Sequence, residues 1–94
     1  MFITYMHPIV GSGRASLAIR FNPMTKLTEV GVAFASPKDQ FCRAKGRMIA
    51  ENRLVRGSDL SFEFYADDDL PLKEQVYEQF MEFTYDFGPR WATR

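Results

Sequence analysis

Residues 30–35 constrain this chain more than any other stretch, because their two faces ask for different neighbours. Val30, Val32 and Phe34 alternate with Gly31, Ala33 and Ala35, the period-two pattern of a strand with one buried side. The second face carries only small side chains. A helix, a partner strand or a ligand can approach it closely, or it is simply a solvated face. Ser36-Pro37-Lys38-Asp39 follows at once and reads as a helix start. Ser36 suits the cap, Pro37 the first helical position, where no amide bond is lost, and Asp39 completes a capping box.

These signals predict a helix from Pro37 to about Leu54. Projected at about 100° per residue, Phe41, Ala44, Met48 and Val55 gather near Ile49 and Cys42 on an apolar side, with Arg43, Arg47 and Arg53 opposite. Arg43 and Arg47 are neighbours on the helix surface, and their repulsion costs a few tenths of a kcal/mol that a bound anion would relieve. Lys38, Arg43, Arg47 and Arg53 are therefore the candidate ligand-binding residues. Lys45 and Asn52 project into the apolar sector, where burial without a partner is costly. Gly46, about 1 kcal/mol less favourable than alanine inside a helix, marks either close backbone packing or a break.

The remaining elements fall around this unit. Residues 2–7 read as a short strand, and residues 8–15 as a loop holding Gly11-Ser12-Gly13-Arg14. That string is either an amide-lined turn for phosphate or an ordinary connection; it lacks the Lys-Ser/Thr of a Walker A loop. Residues 16–21 form a second strand, Asn22-Pro23-Met24-Thr25 a turn, and residues 26–35 a third strand, so a hairpin is expected. Leu60, Phe62 and Phe64 alternate with Ser61, Glu63 and Tyr65 as a fourth, half-buried strand. Asp67, Asp68 and Asp69 are consecutive, unlike the spaced ligands of a calcium loop, and fit better as negative charge beside the N-terminus of a last helix. That helix, residues 71–87, places Leu72, Val76, Phe80, Phe83 and Phe87 on a core stripe. Tyr77, Met81 and Tyr85 form a second stripe, a candidate interface. Arg90, Trp91 and Arg94 lie in a C-terminal tail, residues 88–94, suited either to stacking on a base or to covering the core.

The order β-β-β-α-β-α describes one α+β domain spanning residues 1–94, a small antiparallel sheet with two helices, expected to cover one of its faces. With 46% hydrophobic residues, nine Phe and four Tyr, the composition excludes a disordered chain. A formal net charge of zero hides an asymmetry: residues 1–56 hold nine Lys or Arg against three Asp or Glu, and residues 57–94 the reverse. Opposed halves steer anions to one side or drive association between subunits. Cys42 and His7 are the only residues of their kinds, which argues against an intrachain disulfide or a Cys/His zinc site. Cys42 is expected to face the core, and His7 is given no role. No apolar run reaches a membrane span of about 18 residues and no secretory leader is evident, so a cytoplasmic protein without membrane contact is expected. Lacking a nucleophile with an evident base, paired carboxylates or a metal constellation, the chain is expected to be neither an enzyme nor a cofactor carrier.

The strings G-V-A-F-A-S-P-K-D-Q-F and G-R-M-I-A-E-N-R-L, residues 31–41 and 46–54, resemble a segment of small bacteriophage-encoded proteins. Among those of known role, they are most similar to anti-Thoeris sponge proteins, which sequester a cyclic ADP-ribose-type immune signal. The resemblance implies a non-enzymatic counter-defence protein of the host cell cytoplasm that holds an anionic nucleotide. Two other classes fit the residues: a single-stranded nucleic-acid-binding module using the four basic residues, and an inhibitor or homo-oligomer acting by direct contact with a host defence protein or another copy.

Overall fold

The computed structural model describes residues 2–93. In chain order it has β1 (Ile3–Met6), β2 (Ile9–Val10), β3 (Gly13–Phe21), β4 (Leu27–Ala35), α1 (Arg43–Arg56), β5 (Ser61–Tyr65) and α2 (Leu72–Phe87), then a 3-10 helix, Arg90–Thr93. The chain forms the expected α+β fold, an antiparallel sheet with two helices. β2 is the strand the sequence did not suggest. The strands lie in the order β1-β3-β4-β5, with β2 also against β3.

The hairpin forms where expected. β3 and β4 pair from Arg14 opposite Ala35 to Phe21 opposite Thr28. At its turn the Asn22 Oδ1 accepts from the amides of Met24 and Thr25, so a side chain replaces backbone partners. The turn extends one residue further than expected, to Lys26, which adopts a positive φ of 67°. The joining of the fourth strand is now defined: β5 pairs with the outer edge of β4, Val30 opposite Phe62.

The two faces of the sheet take one helix each, not both helices on one face. Leu17, Ile19, Val30 and Val32 pack with Val76, Phe80 and Phe83 of α2. Buried side chains of this size contribute about 1.5–3 kcal/mol apiece. Ala18 and Ala33, on the opposite face, pack with Ala50 and Leu54 of α1. The smallness of the Gly31-Ala33 face explains this division. A methyl group on Gly31 would stand 2.6 Å from the Leu54 amide nitrogen, so the helix backbone itself rests on β4. Gly46 is likewise a packing glycine, since a methyl there would stand 2.9 Å from the Ser16 Cβ.

α1 differs from expectation in start and orientation. The capping residues do pair, with the Asp39 carboxylate accepting from the amide and hydroxyl of Ser36. They close only one turn. Phe41 is drawn to His7, edge to face with centroids 5.8 Å apart, and lies under the Arg14 guanidinium, which holds the chain off the helical path until Arg43. The buried side of the helix is Gly46, Ala50 and Leu54. Met48 and Val55 are 61% and 62% exposed, and Cys42 is exposed as well. Against a flat sheet face, the smallest stripe of the helix wins over the most apolar one, because it lets the backbones meet. Lys45 and Asn52 therefore face solvent and carry no burial cost.

On α2, Val76, Phe80 and Phe83 are buried as expected, but Phe87 is 66% exposed at the last turn and touches only the edge of the cluster through Phe83. Gln75 is buried instead, exchanging hydrogen bonds with the backbone of Asp67 and donating to the Leu70 carbonyl. Trp91 is packed edge-on against Phe34, with centroids 6.1 Å apart, and covers the core. Arg94 lies outside the described residues.

Candidate functional site

β1 and β2 keep one register against β3, Met6 opposite Leu17 and Ile9 opposite Arg14, so they are a single edge strand interrupted at His7-Pro8. Proline has no N–H to continue the ladder, and interruptions of this kind belong on edge strands. The register sets His7 opposite Ser16 on the face that α1 covers. Its Nδ1 lies 3.0 Å from the Ser16 Oγ. Two residues earlier on the same face, Tyr5 stands opposite Ala18.

Arg43, Arg47 and Glu51 recur every fourth residue of α1 and line its flank toward this edge strand. The Arg47 guanidinium lies 5.5 Å from the centroid of the Tyr5 ring. Glu51 accepts a hydrogen bond from the Tyr5 hydroxyl, and that bond, with burial, raises the Tyr5 pKa above its ordinary value. Arg14 enters from β3, donating to the His7 carbonyl at 3.2 Å. The charges of three guanidiniums thus act on one imidazole. Burial pushes the His7 pKa down, and the charges of Arg43, Arg47 and Arg14 push it further. The His7 Nε2 and the Arg14 Nε are both buried without a hydrogen-bond partner. In the tautomer where Ser16 donates to Nδ1, Nε2 carries the proton, and both orphans are then buried donors.

This depressed pKa has a consequence for the unliganded protein. The unfolded chain binds the proton more readily than the folded one below the ordinary value of 6.5. Stability present above that pH is therefore lost as pH falls from there towards the lower, folded pKa. Chemical denaturation of the wild type and His7→Gln between about pH 7.5 and 5 checks this: the variant should show the shallower decline.

The first turn of α1 adjoins the same cluster. Its first intrahelical bond runs from the Gly46 amide to the Cys42 carbonyl, no side chain caps the end, and the first turn holds no acidic residue. The free amides of Arg43, Ala44 and Lys45 add the positive end of the helix dipole. On the other flank a cleft of about 390 Å³ is lined by Ser16, Ala33, Ala35, Phe41, Lys45 and Ile49. It offers an apolar wall beside the helix end, with one cation, Lys45, and one carboxylate, Asp39, on its lining.

Of the four basic residues singled out from the sequence, only Arg43 and Arg47 come together. Lys38 stands exposed on the turn before α1. Arg53 lies on the opposite flank, where its guanidinium donates to the Val32 carbonyl at 2.8 Å, beyond the paired length of β5. Tyr77, Met81 and Tyr85 sit on the outward side of α2, across the sheet. Of the three aspartates, Asp68 pairs with Lys26 at 2.9 Å, and among the described residues no group of three or more His, Cys, Asp or Glu is placed to hold a metal ion. His7, Ser16 and Tyr5 were missed. The sequence singles out Arg14 only as part of a glycine turn, which forms a tight link between β2 and β3. Among the described residues no helix is long and apolar enough to cross a membrane. Compared with known proteins, the chain finds no matching family model, curated protein or solved structure.

Proposed function

We propose that this chain binds an anionic nucleotide in the groove between α1 and the edge strand and holds it without turnover. The combined charge of Arg14, Arg43 and Arg47 at His7, with two buried donors left unpaired, carries this reading. Guanidiniums suit phosphate through paired hydrogen bonds, and the first turn of α1 adds backbone amides. The adjacent cleft, walled by Phe41 and Ile49, has room for the apolar part of the ligand. Retention rather than catalysis is supported by the state of Ser16, the hydroxyl bonded to His7, which is buried under Gly46 while, among the described residues, no carboxylate bonds the imidazole. The likeness of residues 31–41 and 46–54 to phage sponge proteins agrees with sequestration of an immune signal in the host cell.

Calorimetric titration with ADP-ribose, a pyrophosphate diester of the proposed class, tests the reading. Binding is expected, with a shallow salt dependence. A chain tracking single-stranded DNA through four phosphate contacts would show a log–log slope near −3, from about −0.7 per contact. Tight, steeply salt-dependent binding of single-stranded DNA without binding of ADP-ribose would overturn the proposal. Arg53→Ala serves as the control: it should lose about 1.5 kcal/mol of folding stability, the low end for a charged hydrogen bond, and leave the affinity unchanged.

A further inference from the structure

Both helices turn an apolar stripe away from the sheet. On α1 it is Ala44, Met48 and Val55, interrupted by Glu51, which accepts from the Tyr5 hydroxyl, and bordered by Lys45, Arg47 and Arg56; apart from Glu51 these are all exposed. On α2 it is Tyr77, Met81 and Tyr85, the last 81% exposed, bordered by Glu74, Glu78 and Glu82. The stripes lie on opposite sides of the sheet and carry opposite rims. Pairing two α2 stripes about a two-fold axis would set carboxylates against carboxylates, and pairing two α1 stripes would oppose cations. Only the mixed contact joins apolar to apolar while matching charge, and a formal net charge of zero leaves little overall repulsion between copies.

We propose that copies of this chain associate head to tail, the α1 stripe of one seating on the α2 stripe of the next. Docking at one face leaves the other open, so the assembly grows with concentration and does not stop at a symmetric dimer. The stripe itself, Ala44, Met48 and Val55, takes no part in the nucleotide reading, and Arg47 alone borders both the stripe and the groove at His7.

Light scattering on the full chain from low micromolar to millimolar concentration tests this. The wild type should gain mass with concentration at low salt and lose it at high salt, where rim charges are screened. Met48→Glu and Met81→Glu should each be monomeric alone. Each keeps one working face, so an equimolar mixture should double in mass and grow no further. Circular dichroism confirms folding, and Val55→Glu with Tyr85→Glu replaces the pair if either methionine variant unfolds. A wild type that stays monomeric throughout overturns the proposal. So does a dimer that Met81→Glu dissolves and Met48→Glu leaves intact, or two folded single variants that fail to combine.

Discussion

Gly31→Ala is expected to cost about 3 kcal/mol or more of folding stability, the upper range for overpacking a close-packed site. The added methyl meets the Ala50 carbonyl and the Leu54 amide, both backbone groups of α1, so no side-chain rotation can make room. Either the helix lifts from β4 or the strand bends away from it, and each route breaks the contacts of Ala18, Ala33, Ala50 and Leu54 together. The loss is a large share of the about 5–15 kcal/mol that holds a domain folded. Urea denaturation monitored by circular dichroism measures it, with the midpoint falling and the slope unchanged. Gly46 offers the contrast, because the obstruction there is the side chain of Ser16. A Gly31→Ala protein as stable as the wild type would mean that α1 does not rest on β4 in this way.

The strands were legible because period-two alternation is a local signal that the sheet then confirms face by face: Val30, Val32 and Phe34 on one side, Gly31 and Ala33 on the other. The same residues left open whether a helix, a strand, a ligand or solvent would meet the small face, and the structure sets α1 there. What they could not indicate was which stripe of the helix would meet them. Hydrophobicity points to Ala44, Met48 and Val55, whereas steric fit chooses Gly46 and Ala50, and only the shape of the partner surface decides between the two criteria. The helix start failed for a related reason. Ser36 donates to the Asp39 carboxylate from both its amide and its hydroxyl, but the tertiary contact of Phe41 with His7 and Arg14 ends the turn.

The candidate site was half legible. Arg43 and Arg47 are neighbours by helical spacing alone, and a single sequence suffices to pair them. Their association with His7 depends on a register that runs through an interrupted edge strand, and with Arg14 on a hairpin between β2 and β3. Both are matters of strand pairing, which a pattern of residue types does not determine. Arg53 shows the converse. It shares the charge and the helix of the other two, yet the Val32 carbonyl, left over just before β5 begins, captures it.

Removing both Arg43 and Arg47 should therefore separate affinity from stability. Arg43→Ala/Arg47→Ala is expected to weaken ADP-ribose binding by about two orders of magnitude. Each charged hydrogen bond to phosphate is worth about 1.5–3 kcal/mol, and the two residues are close enough that their effects need not add. Folding stability should change little. The Arg47 contact with Tyr5 is lost, at about 0.5 kcal/mol for an exposed pair, while the repulsion between the arginines is relieved. Arg47→Lys should recover part of the binding lost in Arg47→Ala, because an ammonium keeps the charge but not the bidentate geometry. A thermal melt paired with calorimetry on these variants reads both quantities. Unchanged affinity in a folded double variant would reduce the groove to a solvated basic edge. A collapse of melting temperature would make the two arginines structural, in the way that Arg53 is.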